Sequence, residues 1–319
     1  MKEKSAGNWP RVAVIGAGAV GCYFGGMLAR GGAPVTLIGR RAHVEAIARD
    51  GLFIDSIHFQ ERVAIAASTQ VDAVRDADVV LFCVKTLDTE SAARAIAPEL
   101  AAGAIVVSLQ NGVDNVERIR AASGIEAIAA VVYVAASMPA PGRVKHAGRG
   151  DLVIGAQQTG SPRPAELERL AQTFSRAGVD CRVSDNIEGE LWQKLIMNCA
   201  GNAVTALGRS SYAAAARHEQ AREVILATAE EAIAVARAAG VKLPTAELGE
   251  AGLKLAQSLG AATSSTAQDI QRGKRTEIDS LNGYIARRGD ALGVPTPVNH
   301  TLYALVKLLE ENSESNAKS

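Results

Sequence analysis

Residues 11–21 read Arg11-Val12-Ala13-Val14-Ile15-Gly16-Ala17-Gly18-Ala19-Val20-Gly21, and this stretch decides the fold. Residues 11–15 predict a short buried strand, and residues 22–30 predict a helix directly after the last glycine. Between them stands the pattern G-x-G-x-x-G, which permits a tight turn and a close approach of the backbone to a pyrophosphate at the helix N-terminus. The pattern alone is weak, but its place between a strand and a helix is typical of a dinucleotide-binding domain.

The second strand, predicted at residues 34–38, indicates which nucleotide is bound. A site for NAD usually has an acidic residue at the end of this strand, where it bonds the ribose hydroxyls. Here the strand is followed by Gly39, Arg40 and Arg41. A guanidinium suits the additional phosphate of NADP, although two arginines in a loop also suit a solvent-facing position. We predict NADPH as the cofactor and favour Arg40 over Arg41 for the 2′-phosphate because it comes first after the strand.

Two continuous apolar runs, residues 79–84 and 105–109, predict central strands of a parallel sheet. Lys85 stands at the end of the first run, and Asn111 follows the second. Ligands of open α/β sheets gather beyond the carboxyl ends of the strands. We therefore expect Lys85 and Asn111 to contact the cofactor or the carbonyl end of a substrate, although an Asn-Gly pair is also a frequent turn.

The remaining pattern divides the chain into two halves. Strands are predicted as a pair between residues 53 and 66 and at residues 131–136, 143–146, 151–154 and 179–183, with a helix at residues 164–177. Beyond residue 185 the pattern is helical, with helices predicted at residues 190–202, 217–239, 245–259, 275–292 and 297–309. We predict an α/β Rossmann-like domain over residues 1–184 and an all-α domain over residues 185–319.

The composition excludes several classes of protein. The 319 residues carry 34 basic and 34 acidic side chains, interspersed, so neither nucleic acid nor an anionic membrane is expected as a partner. The sequence contains neither a signal-peptide pattern nor an apolar run of the roughly 20 residues that span a bilayer. Four separated cysteines indicate reduced thiols, and the five histidines lack metal-ligand spacing. We expect a soluble cytoplasmic protein without a metal, as a monomer or a homodimer.

The helix predicted at residues 190–202 carries one polar stripe. Glu190, Lys194, Asn198 and Asn202 are spaced by four and therefore lie along one side of the helix. The other sides are apolar, so the helix should be buried, and a buried ammonium with two amides is costly unless a polar group meets them. A Glu190–Lys194 pair with two core amides is the simpler alternative.

These features together resemble the ketopantoate reductase (2-dehydropantoate 2-reductase) family along essentially the whole chain. The matching pieces are Gly16 to Gly21, Val84-Lys85, Asn111-Gly112, Glu190-Leu191-Trp192-Gln193-Lys194-Leu195 with Asn198 and Asn202, Ser264-Ser265 with Gln268-Asp269, and Thr276-Glu277-Ile278-Asp279 with Asn282-Gly283. The resemblance implies a Rossmann domain, an all-helical second domain, and NADPH-dependent reduction of the 2-oxo acid ketopantoate to pantoate in pantothenate biosynthesis.

The resemblance also implies roles for individual residues. Lys194 is expected to be the general acid, Glu277 to support the catalytic site, and Asn198, Asn202 and Ser265 to bind substrate. The cofactor-binding residues expected from the turn, the strand ends and the resemblance together are Gly16, Ala17, Gly18, Ala19, Val20, Gly21, Arg40, Lys85, Asn111, Ala136 and Glu277. The chemistry suits Lys194, because addition of hydride to a ketone develops negative charge on the oxygen, which an ammonium can stabilise and protonate.

Two alternatives to ketopantoate reduction remain. Some family members have a further asparagine near residues 209–212, which read Arg-Ser-Ser-Tyr here, so the exact substrate is less well determined than the reaction. A reductase for a different 2-oxo acid would keep Lys194 and Glu277 and change the asparagines or Ser265. A non-catalytic NADP-binding sensor would be expected to lose Lys194 or Glu277, and this chain keeps both.

Overall fold

The computed structural model describes residues 9–156, 164–245, 250, 252–254, 257 and 260–316. The chain divides into two compact units, Met1–Ile187 and Glu188–Ser319. Within the described part of the chain, no helix is long and apolar enough to cross a membrane.

The first unit is built on one sheet, to which its described residues contribute ten strands. These strands are β1 (Val12–Ile15), β2 (Val35–Ile38), β3 (Leu52–Ser56), β4 (Gln60–Val63), β5 (Ala66–Ser68), β6 (Val79–Phe82), β7 (Ile105–Ser108), β8 (Ala127–Ala140), β9 (Arg143–Gly155) and β10 (Cys181–Val183). Their order is β4-β3-β9-β8-β7-β6-β1-β2-β5, with β10 beside β9. The six strands from β5 to β8 in this order are parallel, which confirms the predicted α/β fold.

The burial of the central strands explains why they read as continuous apolar runs. Every residue of β1 and of β6 is buried, because helices cover both faces of a parallel sheet. The described helices of this unit are α1 (Ala19–Gly31), α2 (Arg41–Asp50), α3 (Thr89–Ile96), α4 (Asn115–Ser123) and α5 (Pro164–Arg176). Buried residues on one side of β1 pack with Phe24 and Leu28 of α1, and those on the other side pack with Ile96 and Ile119.

The prediction of two separate strands at residues 143–146 and 151–154 is wrong. Both belong to β9, which pairs antiparallel with β8 throughout, with irregularities in the register. Gly148, Arg149 and Gly150 interrupt the apolar pattern and have positive φ angles of 157°, 50° and 142°. The ladder with β8 continues past this irregular segment, so the pairing is preserved although the local pattern is broken.

The described residues of the second unit form helices. These are α6 (Ile187–Leu207), α7 (Tyr212–Arg217), α8 (Glu219–Ala238), α9 (Ser265–Gln271), α10 (Asn282–Leu292) and α11 (Pro297–Asn316). The helix α6 contains the predicted lysine helix and extends beyond it at both ends. Much of the helix predicted at residues 245–259 lies outside the described residues.

Two helices of the second unit have bounds that differ from those predicted from the sequence. The helix predicted at residues 217–239 is divided, because His218 is extended and its Nδ1 accepts a hydrogen bond from the Ala221 amide at 3.4 Å, which starts α8 afresh. The helix predicted at residues 275–292 begins only at Asn282, after a 3-10 turn at Ile278–Ser280. In both places a side chain competes with the helical backbone for hydrogen bonds.

The segment before α10 is held by side chains of α11 in addition to its 3-10 turn. The Thr276 amide donates to Glu310 at 2.6 Å, and the Asp279 carboxylate accepts from Tyr303 at 2.8 Å and from Lys307 at 3.2 Å. Burial opposes the ionisation of Asp279, but these two donors outweigh it and lower the pKa of its carboxyl. The helix α11 continues to Asn316, past its predicted end at residue 309, and Glu310 is buried where it accepts from the Thr276 amide.

A buried chain of polar side chains connects α8, α10 and α11 with α6. The Glu231 carboxylate accepts from the Val298 and Asn299 amides, both at 2.9 Å, and thereby caps the first turn of α11. The Asn299 side chain accepts from Asn282 at 3.0 Å, and Asn282 also donates to the Cys199 carbonyl of α6 at 3.1 Å. This chain of hydrogen bonds holds the middle of α6 in register with the other helices.

Candidate active site

The glycine turn between β1 and α1 is shaped by two close backbone approaches. Gly16 has a φ of 105°, and a Cβ there would lie 2.7 Å from the Cys83 backbone. A Cβ on Gly21 would lie 2.2 Å from the Gly16 carbonyl oxygen. Gly18, in contrast, is exposed, and a Cβ on it would have no atom within 4 Å. Gly16 and Gly21 therefore serve the fold, whereas Gly18 leaves its backbone open to a ligand.

The N-terminus of α1 suits an anion. Gly18 is its N-cap, without a capping side chain, and the first turn contains no acidic residue. The first N–H groups of a helix carry partial positive charge and bind phosphates readily. The open backbone at Gly18 and this helix end together form the surface expected for a pyrophosphate.

The loop after β2 lies against the glycine turn. A Cβ on Gly39 would be 2.6 Å from the Ala17 Cβ, and the Gly16 and Ala17 amides both donate to the Ile38 carbonyl. Arg40 follows directly and is the N-cap of α2, and Arg41 is the first residue of that helix. Both arginines are exposed, so their side chains are accessible to a ligand held at the turn.

Buried polar side chains join the loops that carry Lys85 and Asn111. The Gln110 amide donates to the Val84 carbonyl at 3.1 Å and to the Thr89 hydroxyl at 2.8 Å. The Asn111 carbonyl accepts from Thr86 at 3.2 Å and from Asn115 at 2.7 Å. The structure thus brings the ends of β6 and β7 together and fixes the backbone on either side of Lys85.

An ion pair outside the sheet supports the same loops. Arg118 of α4 bonds both oxygens of the Glu90 carboxylate, at 2.7 and 3.0 Å, and donates to the Thr86 carbonyl at 3.0 Å. The bond from Arg118 lowers the pKa of Glu90. The sequence analysis did not identify Gln110, Thr89 or Arg118 as supporting residues. The signal that could have indicated them is their position: they are polar residues that follow shortly after the two apolar strands β6 and β7.

Ala136 lies in β8, well past the part of that strand that pairs with β7. It is half-buried and pairs with His146 of β9, next to a register irregularity between Ala135 and Ala136. Sites of irregular pairing commonly redirect the backbone near ligands. No described group of three or more His, Cys, Asp or Glu side chains is arranged to hold a metal ion.

In the second unit, the polar stripe of α6 lies at the edge of a buried helix. Leu195 and Ile196 are fully buried, whereas Lys194 and Asn198 are half-buried. Asn202, at the far end of the stripe, is buried with 2% of its surface exposed. The polar stripe is therefore partly accessible to solvent at Lys194 and Asn198 and is buried at Asn202.

The structure brings Ser265 close to Asn202 through the preceding residue. The Ser264 hydroxyl donates to the Asn202 carbonyl at 3.1 Å and caps α9 by accepting from the Ala267 amide at 3.1 Å. Thr205 donates to the Ser264 hydroxyl at 2.8 Å and so completes its hydrogen bonding. Ser265 is the exposed first residue of α9, directly beside this contact.

Glu277 stands at the N-cap of the turn Ile278–Ser280 and is half-buried. The neighbouring Ile278 is fully buried in a cluster with Ala203 of α6 and Leu302 of α11. Glu277 is therefore held beside the C-terminal half of α6.

Two family models match the chain, one after the other. The model described as Ketopantoate reductase PanE/ApbA matches residues 12–158, and the model of its C-terminal part matches residues 186–310. The chain belongs to the ketopantoate reductase family. The family resemblance and the predicted fold class are thereby confirmed.

Individual relatives of this ketopantoate reductase family member cover nearly its whole length. A 2-dehydropantoate 2-reductase of Pyrococcus horikoshii is 33% identical over 94% of this chain and 97% of its own. The crystal structure of a PanE/ApbA family ketopantoate reductase from Ralstonia eutropha JMP134 is 50% identical, with a TM-score of 0.89, over 95% of this chain and 99% of that one. The ternary structure of D-mandelate dehydrogenase with NADH and anilino(oxo)acetate is 25% identical, with a TM-score of 0.87 and the same coverage.

The different surroundings of the glycines predict different effects of one added methyl group. Gly21→Ala forces a Cβ against the Gly16 carbonyl at 2.2 Å, and we expect it to lower the free energy of unfolding by about 1–3 kcal/mol, the usual cost of overpacking. Gly18→Ala, the matched control, should stay within about 0.5 kcal/mol of the wild type, because it enters open space. Urea unfolding of both variants measures the difference, and equal losses would contradict the assigned roles.

Proposed function

We propose that this protein catalyses the NADPH-dependent reduction of ketopantoate to pantoate, a step toward pantothenate. The observation that carries the proposal is the stripe of Lys194, Asn198 and Asn202 along one side of α6, half-buried at Lys194 and Asn198 and buried at Asn202. The names of the full-length relatives support the same reaction.

The proposed role of Lys194 follows from the charge that develops during reduction. The ketone oxygen becomes negative as the carbonyl carbon is reduced, and the Lys194 ammonium can hydrogen-bond that oxygen and then give it a proton. Apolar residues on the other sides of α6, among them Leu191 and Leu195, are buried, so Lys194 is proposed to act at the edge of an apolar region. A hydrogen bond to a developing charge is stronger in such surroundings than in bulk water.

We assign substrate binding to Asn198, Asn202 and Ser265. Amide and hydroxyl groups hold the oxygens of an anionic substrate without bringing a competing negative charge. Glu277 is the acidic member of the proposed site, where it supports Lys194 or accepts a bond from a substrate hydroxyl.

The first unit has the features that a dinucleotide requires. The open backbone at Gly18 and the N-terminus of α1 would hold the pyrophosphate, and the exposed Arg40 would meet the 2′-phosphate of NADPH. Lys85, Asn111 and Ala136 would line the remainder of the cofactor, on loops that the Gln110 and Arg118 hydrogen bonds keep in place. When bound, the reduced nicotinamide supplies the hydride for the ketone.

A second candidate is the reduction of a different 2-oxo acid. It is favoured by the likeness over 95% of this chain to D-mandelate dehydrogenase, whose structure contains NADH and anilino(oxo)acetate. Both candidates use the same acid and the same type of cofactor, so they differ in the groups that surround the substrate side chain.

The oxidation of NADPH by the purified protein, in the presence of ketopantoate or a panel of other 2-oxo acids, tests both candidates. We expect ketopantoate to have the highest kcat/KM of the panel, and we include phenylglyoxylate as the oxo acid that corresponds to mandelate. A higher kcat/KM for another 2-oxo acid would favour the second candidate. Binding of NADPH without turnover of any panel member would favour a sensor instead.

Cofactor preference depends on the arginine after β2. Arg40→Ala should weaken NADPH binding by about 1.5–3 kcal/mol, the usual contribution of a charged hydrogen bond, and leave NADH binding nearly unchanged. Fluorescence titration with each cofactor measures both dissociation constants. Arg41→Ala is the matched control, since it removes the neighbouring exposed guanidinium. If Arg41→Ala causes the selective loss of NADPH binding, Arg41 contacts the 2′-phosphate. If Arg40→Ala weakens the binding of NADPH and NADH equally, Arg40 does not contact the 2′-phosphate.

The proton donor is tested by replacing Lys194. Lys194→Ala should lower kcat/KM by about 10²–10⁴-fold, as is typical when a general acid is removed, while the NADPH dissociation constant and the fold are retained. Lys194→Arg keeps the charge but donates poorly and should not restore full activity. Gln193→Ala, a half-buried neighbour on α6, controls for general damage to the helix. A near-normal kcat in Lys194→Ala would leave only an ion pair with Glu190 as its role.

A further inference from the structure

The side chain of Asn202 is buried, but its amide is only partly satisfied. Its Oδ1 accepts a hydrogen bond from the Tyr212 hydroxyl at 2.6 Å, and no described residue accepts one from its Nδ2. Nδ2 is not among the described buried atoms that lack a partner, so this end of the amide keeps some contact with solvent. Its N–H groups are therefore accessible to a ligand at this end of the polar stripe.

Tyr212 is held firmly in place at the start of α7. Its backbone amide donates to the Ala262 carbonyl at 3.1 Å, and the Ser211 hydroxyl caps α7 by accepting from the Ala214 amide at 3.2 Å. Ala262 belongs to the segment that leads to Ser265. Tyr212 thus connects the segments that carry two of the proposed substrate-binding residues.

The ring of Tyr212 passes close to α6 at Gly201. A Cβ on Gly201 would lie 2.9 Å from the Cε1 of the ring. Glycine normally weakens the interior of a helix, so its presence in α6 requires a reason. Here it gives the aromatic ring room to bring its hydroxyl to the next residue, Asn202.

The phenol of Tyr212 acts as a donor at neutral pH. Burial raises the pKa of Tyr212 well above its usual range, so the hydroxyl keeps its proton. Because the hydroxyl donates, the carbonyl end of the Asn202 amide turns toward Tyr212, and the N–H₂ end turns away from it. A reversed amide would present a carbonyl oxygen, which repels the oxygens of an anionic substrate.

We propose that Tyr212 is a positioning residue that orients the Asn202 amide so that its N–H groups donate to an oxygen of the 2-oxo acid. The inference rests on the proposed function and adds to it a specificity determinant outside the polar stripe. It also gives a role to the segment of residues 209–212, where the chain departs from the pattern of some family members.

A double-mutant cycle tests whether Tyr212 acts through Asn202. Tyr212→Phe should raise the KM for the best 2-oxo acid and lower kcat/KM by about 3- to 10-fold, the effect of one neutral hydrogen bond, with the NADPH dissociation constant unchanged. Asn202→Ala should lower kcat/KM at least as much. In the Asn202→Ala background, Tyr212→Phe should have no further effect on kcat/KM, because the amide that it orients is gone.

Two more variants complete the experiment. Tyr303→Phe is the matched control, since it removes a tyrosine hydroxyl that bonds Asp279 at 2.8 Å in the same unit, and its effect should add to that of Asn202→Ala. Gly201→Ala should displace the ring and reproduce the higher KM, which keeps the test available if Tyr212→Phe does not fold. Additive effects of Tyr212→Phe and Asn202→Ala on kcat/KM, with an active wild type, would overturn this inference alone. A wild type that reduces no 2-oxo acid would overturn the proposed function and this inference with it.

Discussion

The contact between the glycine turn and the end of β6 is the constraint on which the first unit depends. Gly16 lies against the Cys83 backbone, and Gly21 lies against the Gly16 carbonyl, so neither position has room for a side chain. These contacts join β1, α1 and β6 at one point and direct the N-terminus of α1 toward the carboxyl edge of the sheet. The arginine loop after β2 and the loops with Lys85 and Asn111 emerge at this same edge, where ligands of open α/β sheets bind.

Buried polar side chains stabilise the irregular segments of both units. In the first unit, Gln110 and its partners hold the loops after β6 and β7. In the second unit, Asn282 and Asn299 hold α6 through the Cys199 carbonyl. Such networks stabilise one arrangement strongly, because any broken member leaves a buried polar group unsatisfied.

Much of the architecture was predictable from local patterns. The order of strand, G-x-G-x-x-G turn and helix, the apolar runs of β6 and β7, and the polar stripe of α6 all appear in the structure where the sequence indicated them. The errors in the helix bounds arose where a side chain replaces a helical hydrogen bond, whereas the single strand β9 was read as two because Gly148, Arg149 and Gly150 interrupt its apolar pattern. The cap at His218 and the attachment of Asp279 to α11 break helices whose residue composition favours continuation.

The sequence by itself determined the class of fold, the family, and which residue types lie along α6, because periodicity and motif spacing are properties of neighbouring residues. Only the tertiary structure decided how those residues are held and oriented. Gln110 bonds the Val84 carbonyl, and Asn282 bonds the Cys199 carbonyl, 83 residues earlier in the chain. Tyr212 selects the orientation of the Asn202 amide from the following helix. The residues in these contacts are separated by 10 (Asn202 and Tyr212), 26 (Val84 and Gln110) and 83 (Cys199 and Asn282) positions along the chain. Their geometry exists only after the strands and helices have packed, so no local pattern encodes them.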